Sequence, residues 1–109
     1  HNYLSNSGRD LIYEYINSLP EAEKIDGYTV LQHMEKGEFD KILFKRWEKK
    51  VYEVYFQKNN RVFYITVDKE NIYLLHSCRK QKNKTEKKDA NIVRKRAKEL
   101  GNMLGRKFI

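Results

Sequence analysis

Three short runs of strand-forming residues, separated by two polar turns, constrain the fold of this chain more than any other feature. The runs occupy residues 51–56, 61–67 and 72–78, and the short segments between them are polar and turn-prone. Strands joined by such short turns pair antiparallel. The sequence therefore predicts an antiparallel meander, to which residues 41–47 add a candidate fourth strand.

Helical patterns flank this predicted sheet on both sides. Residues 9–19 place apolar side chains on one face of a helix, and residues 20–36 predict a second helix that Gly37 ends. Gly27 lies inside the second helix and predicts a break near it. After the sheet, Thr85 is the predicted N-cap of a final helix. The order predicts an α+β fold, a small antiparallel β-sheet of three to four strands with two N-terminal helices on one face and a C-terminal helix.

The positive charge of the chain is concentrated in its last third. Residues 79–109 carry 12 Lys and Arg against 3 Asp and Glu, whereas residues 1–78 carry 11 against 12, so the excess of +8 lies at the carboxyl end. A near-neutral body with one cationic end is typical of proteins that meet phosphate groups. Charge alone also allows a second explanation, in which these basic residues form the water-exposed face of a terminal helix that binds nothing.

Composition narrows the class of protein. Apolar residues make up 39% and aromatic residues 13%, too many for a disordered chain, and 109 residues suit a single domain spanning 1–109. The apolar runs are too short to cross a bilayer. The N-terminal residues lack a signal pattern, which favours a cytoplasmic location, and His1 in place of Met indicates that the natural chain begins further upstream.

Cysteine and histidine usage gives no metal signal. The single cysteine, Cys78, excludes an internal disulfide framework and favours a reducing compartment. Only His76 and Cys78 share a predicted strand face, and no other His or Cys has ligand spacing. The sequence therefore predicts no metal site and no other cofactor.

A basic and aromatic set at the predicted strand ends suits chemistry on RNA. Arg61 opens one strand, Tyr55 is predicted near it across the hairpin, His76 is close to the end of the last strand, and Lys80 follows. RNA cleavage without a metal requires the 2′-hydroxyl to lose a proton, the phosphate charge to be held, and the leaving oxygen to gain a proton. Arg61 and Lys80 suit the phosphate, whereas His76 or Tyr55 suits proton transfer.

Further basic residues are candidates for contact with nucleic-acid phosphates: Arg79, Lys82, Lys84, Lys87 and Arg94. Structural explanations stand beside the functional ones. His76 can be a hydrogen-bonded strand-end histidine, Tyr55 a cross-strand packing residue, and Arg61 a surface turn residue. From composition and spacing alone, the sequence predicts a small basic α+β domain that meets RNA.

Three segments, taken together, carry a family resemblance. Residues 8–16, GRDLIYEYI, place a glycine before an apolar-patterned helix. Residues 52–55 and 61–64, YEVY and RVFY, form two strands with a glutamate and an arginine, and residues 74–85, LLHSCRKQKNKT, combine Leu-Leu-His with basic residues and Lys-Thr. These segments resemble the phage-derived subgroup of HigB toxins within the RelE/ParE toxin superfamily.

The resemblance implies the toxin component of a type II toxin–antitoxin system. Such toxins are metal-independent endoribonucleases that cut mRNA on the ribosome and block translation, and a helix-turn-helix antitoxin neutralises them, with a possible oligomer of the two. By the resemblance, Arg61 and Lys80 would hold the scissile phosphate, and His76 or Tyr55 would transfer protons. The basic residues after the last strand, Lys82 and Lys84 first among them, would contact mRNA or the ribosome.

Two alternatives remain open on the sequence. Tyr55 stands where the family commonly has Arg, which favours a non-catalytic module that binds nucleic acid or the ribosome. A gyrase-inhibiting toxin of the ParE branch is the second alternative. The order of elements predicted from the residues agrees with the RelE-like fold that the resemblance implies.

Overall fold

The elements follow the predicted order along the chain. The computed structural model describes residues 1–57, 59–80 and 84–109. Its elements are α1 (Leu11–Asn17), α2 (Glu21–Glu35), a short 3-10 helix (Phe39–Lys41), β1 (Leu43–Glu48), β2 (Val51–Phe56), β3 (Asn60–Thr66), β4 (Ile72–Arg79) and α3 (Lys87–Leu104). The strands form one antiparallel sheet in the order β1-β2-β3-β4. The predicted α+β class and the meander are confirmed, and the candidate fourth strand is β1.

The first face of the sheet packs against α1 and α2. Side chains alternate between the two faces of a strand, so every second residue of β2 and β3 points to these helices. The buried residues of this core are Ile12, Ile16, Leu19, Met34, Val54, Phe56, Val62, Tyr64 and Leu74. The prediction that the two N-terminal helices share one face is confirmed.

The second face of the sheet is covered by α3. Its buried residues are Val51, Phe63, Ile65, Leu75, Cys78, Val93, Ala97, Leu100 and Phe108. The C-terminal helix therefore lies on the face opposite α1 and α2, a placement that the sequence pattern left open. Because both faces of the sheet are covered, a charged residue on either face of β2 or β3 becomes buried.

The helix boundaries correct two details. Gly27 does not break α2, which is continuous from Glu21 to Glu35. A glycine is needed there because the helix packs closely against its neighbours: a Cβ would come within 2.9 Å of the Ile16 side chain and 3.1 Å of Phe56. Thr85 does not cap α3, which begins at Lys87 with Glu86 as its N-cap residue. The structural reason is that the chain stays extended through Glu86, whose ψ is 148°.

A bulge between β3 and β4 sets the last strand in register with its neighbour. Phe63 pairs with His76 and Tyr64 pairs with Leu74, so Leu75 is the additional residue. The bulge places the His76 ring 6.5 Å from the Phe63 ring, on the α3 side of the sheet. In the described part of the chain, no helix has the length and apolar character needed to cross a membrane.

Candidate nucleic-acid interface

A fully buried carboxylate lies at the centre of the candidate site. Glu53 is 0% exposed, and its Oε1 lies 2.9 Å from the Lys80 ammonium, 3.5 Å from the Lys45 ammonium and 3.8 Å from Nε of Arg61. An ionised carboxylate removed from water needs compensating positive charge. Glu53 therefore gathers three cations from β1, β3 and the segment after β4 at one end of the sheet.

Strand alternation and register place Tyr55 in the same cluster. Tyr55 lies two residues after Glu53 and pairs directly with Arg61 across the hairpin. The guanidinium carbon of Arg61 lies 5.1 Å from the centre of the Tyr55 ring, within the range of a cation–π contact. The predicted proximity of Tyr55 and Arg61 is confirmed, and Arg61 also donates to the Asn60 carbonyl at 3.0 Å.

The two predicted phosphate-binding residues are buried. The side chains of Arg61 and Lys80 are only 8% and 4% exposed. Arg61 is thus not a surface turn residue, and Lys80, although it follows the last strand, is anchored inside the protein by Glu53. Their positive charges are held in place by packing and pairing, which is the arrangement that preorganised electrostatic sites require.

His76 belongs to a separate hydrogen-bond network. Its Nε2 lies 2.8 Å from Oδ1 of Asp89 in the first turn of α3, and its Nδ1 lies 3.2 Å from Nη1 of Arg96, which also donates to the Leu75 carbonyl. A guanidinium can only donate, so Nδ1 accepts and Nε2 carries the proton that it donates to Asp89. Burial lowers the pKa of His76 below its usual value, against the opposing effect of Asp89, so the neutral ring is favoured.

The same network contains a group with the composition of a metal site. The ligand atoms of His76, Cys78 and Asp89 lie within 4.8 Å of one another, although the sequence pointed only to His76 and Cys78. A metal on Nε2 would leave the ring proton on Nδ1, where it would face the donating Arg96, whereas ligand histidines normally direct that proton to an acceptor. Burial raises the pKa of Cys78 to about 12, so without a metal its thiol is protonated. The contact between Arg96 and Nδ1 favours a hydrogen-bonded scaffold over a metal centre.

Two of the remaining predicted residues lie away from Glu53. Arg79 precedes Lys80 in the chain and so faces the opposite side of the sheet, where it donates to Glu23 of α2 at 2.9 Å. Lys87 is exposed at the start of α3. Lys82 lies outside the residues that the structure describes. The predicted cationic set is therefore divided between the two faces of the sheet.

The other two predicted residues line a cleft with Lys80. The cleft runs between β1 and the start of α3 and has a volume of about 350 Å³. Its lining residues are Lys45, Arg46, Trp47, Glu53, Lys80, Lys84, Thr85, Ala90 and Arg94. We call this the β1–α3 cleft. Within its described lining, five side chains are cationic and one is a carboxylate, so the cleft suits an anion.

Sequence reasoning missed Glu53 and the contribution of β1. The available signal for Glu53 was its position between Val51 and Tyr55 in an alternating strand, where a charged residue must be buried if both faces of the sheet are covered. β1 was predicted as an extended segment, but nothing local showed that Lys45 and Trp47 would face the start of α3.

The helices and the antiparallel sheet form a small α+β domain of the RelE-like kind. The family model described as "Phage derived protein Gp49-like (DUF891)" matches residues 14–98. The chain therefore belongs to the Gp49-like family, a family of RelE/HigB-like toxins. A search of curated proteins finds no match to the chain. Membership of a toxin family indicates an antitoxin as partner.

Proposed function

We propose that this protein is the toxin of a type II toxin–antitoxin pair and that it cuts mRNA on the ribosome without a metal, as HigB-type toxins do. The observation that carries the proposal is the Glu53 cluster, which fixes Lys80 and Arg61 beside Tyr55 at the edge of a cationic cleft. Family membership supports the toxin class. The reaction is transfer of the scissile phosphate to the neighbouring 2′-hydroxyl, with release of the 5′-oxygen.

Phosphate stabilisation is assigned to Lys80 and Arg61. Glu53 holds both cations close to one oxygen, so they do not have to reorganise when charge develops on the phosphate. Lys80 lines the β1–α3 cleft, so a phosphate that enters deeply would approach its ammonium. Lys84 and Arg94 line the same cleft and would contact the RNA or the ribosome, whereas Arg79 and Lys87 would act only through other surfaces.

Tyr55 is the better of the two proton-transfer candidates. Both ring nitrogens of His76 are engaged, by Asp89 and Arg96, and breaking either contact would leave a buried polar group without its partner. The Tyr55 ring is partly exposed and lies beside Arg61. His76 is then a positioning residue that holds the start of α3 against β4.

The partners follow from this activity. The antitoxin would be a helix-turn-helix protein, and the targets would be mRNA and the ribosome, which places the toxin in the cytoplasm. These assignments rest on the family and on the cationic cleft. A short helix-turn-helix protein encoded beside this chain would support them.

The test is controlled expression of the protein without its antitoxin. The expected result is arrested growth together with new mRNA 5′ ends that map within ribosome-bound codons. Tyr55→Phe, which retains the ring over Arg61, should reduce cleavage, whereas Tyr73→Phe on β4 is the matched control and should not. Normal growth with intact mRNA would refute the proposal. Full cleavage by Tyr55→Phe would refute only the proton-transfer role of Tyr55.

A non-catalytic binding module is the second candidate. It is favoured by Tyr55, which occupies the strand position where the family commonly has Arg and so removes one phosphate-holding charge from the cluster. This candidate predicts co-sedimentation with ribosomes that weakens steeply with salt, because each neutralised phosphate releases counterions, and no mRNA cleavage. Inhibition of DNA supercoiling by gyrase would instead identify a ParE-like toxin.

A further inference from the structure

The β1–α3 cleft contains an aromatic platform as well as positive charge. Trp47 is partly buried on β1, and its ring meets the Phe63 ring edge-on at 5.2 Å with an interplanar angle of 71°. Phe63 is fully buried, so it fixes the position of the indole. The guanidinium carbon of Arg94 lies 5.3 Å from the centre of the Trp47 ring, and Glu48 accepts a hydrogen bond from Nε of Arg94 at 2.8 Å.

Cations surround this platform on the side of the cleft. Lys45 lies two residues before Trp47 and its side chain is 56% exposed, so its ammonium can meet a ligand while it remains near Glu53. Lys84 is exposed on the opposite wall. The carboxylate in the described lining is Glu53, whose charge is already compensated from inside the protein by Lys80. The accessible part of the cleft is therefore positive.

Planar stacking surfaces and ammonium groups at one site recognise different parts of a nucleotide. Unpaired bases stack on indole and guanidinium planes, and phosphates bind Lys. The volume of about 350 Å³ falls within the range for small-ligand pockets. An acidic peptide would satisfy the cations but would bring no flat ring to stack against the pair that Trp47 and Arg94 form.

We propose that the β1–α3 cleft is a binding subsite for one unpaired nucleotide, with the base on Trp47 and Arg94 and its phosphate on Lys45 and Lys84. The proposal rests on the proposed function, because it places a base-binding subsite directly beside Lys80. It assigns a role to Lys45 and Trp47 of β1. Binding is to the protein alone and does not require the ribosome.

Trp47 provides a direct readout, since it is the only tryptophan in the chain. Its emission should be quenched saturably by adenosine 3′,5′-bisphosphate. Ribose 5-phosphate at the same ionic strength should leave the emission unchanged, because it carries the phosphate without the base. Quenching of equal size by both compounds would overturn base stacking, and no change with the bisphosphate would overturn the subsite.

Matched lysine variants test the phosphate contact. Lys45→Ala should weaken binding of the bisphosphate about tenfold, the loss expected for one charge-assisted hydrogen bond. Lys95→Ala removes an exposed lysine of α3 outside the cleft and should not change binding. Equal weakening by both variants would show only nonspecific attraction. A thermal melt of each variant checks that the fold is retained.

Further outcomes separate the subsite from other ligands and from the proposed activity. Trp47→Phe should keep binding measurable by calorimetry, whereas Trp47→Ala should abolish it; equal binding by the two would overturn the platform. A glutamate-rich peptide that binds more tightly than the bisphosphate, with the same dependence on Lys45, would overturn the nucleotide in favour of a protein ligand. Saturable binding without mRNA cleavage would refute the proposed endonuclease activity and support the subsite. Cleavage without binding would support the activity and refute the subsite.

Discussion

Replacement of Glu53 by alanine is the most informative perturbation of this protein. Glu53 is completely buried, and its nearest partner is the Lys80 ammonium at 2.9 Å, itself only 4% exposed. The substitution leaves Lys80 as a buried cation without this carboxylate. Lys45 is 56% exposed and can be hydrated again, so it adds little to the loss.

The expected loss of stability is large. Removal of one member of a buried ion pair costs roughly 3–5 kcal/mol, mainly because the remaining charge stays out of water. We expect about 3 kcal/mol for Glu53→Ala, since Lys80 lies at the edge of the cleft and can gain some water. For a domain of this size, 1 kcal/mol corresponds to a shift in melting temperature of about 4 °C, so Tm should fall by about 12 °C.

The assay is thermal and urea unfolding of matched variants. Glu14→Ala is the control, because Glu14 pairs with Arg9 on the surface and its loss should leave Tm nearly unchanged. The double variant Glu53→Met with Lys80→Met removes both charges and should be more stable than Glu53→Ala alone. If Glu53→Ala has the same Tm as the unmodified protein, or if the double variant is no more stable than Glu53→Ala, then Glu53 is not the anchor of this cluster.

Two further predictions concern His76 and Gly27. Burial holds the pKa of His76 below its usual 6.5, so the unfolded chain takes up the proton first; stability should fall as pH falls below 6.5, and level off below the folded-state pKa. Urea titrations across this range should show that the free energy of unfolding depends less on pH in His76→Gln than in the unmodified protein. An equal pH dependence in the two proteins would contradict the role given to His76. Gly27→Ala should destabilise the protein by about 1 kcal/mol despite its better helix propensity, because the added methyl meets Ile16 and Phe56. Thr29→Ala on the exposed side of the same helix should not destabilise it, and a stabilised Gly27→Ala would show that the contact relaxes freely.

The helices and strands could be predicted from the sequence because their signals are local. Alternation within residues 51–56 and helical spacing within residues 9–19 each involve neighbours along the chain, and the structure places β2 and α1 there. The proximity of Tyr55 and Arg61 was also accessible, because a short turn brings them opposite each other. The errors at Gly27 and Thr85 arose where a close approach or an extended lead-in overrode local preference.

The composition of the site was decided by tertiary structure. Whether adjacent residues such as Arg79 and Lys80 act together depends on strand alternation and on what covers each face, and here they face opposite sides of the sheet. The buried position of Glu53 depends on α3 covering the second face. The partner of His76 is Asp89, which lies 13 residues further along the chain in α3.

The sequence by itself determined the order of the strands and helices, the concentration of positive charge in the last third, and the residues that carry the family resemblance. These properties depend on spacing and composition along the chain. Only the tertiary structure decided which cations share a site, because the free energy of a buried charge is set by partners distant in sequence. The compensation of Glu53 by Lys80, Arg61 and Lys45 is the point at which four separate segments of the chain become one site.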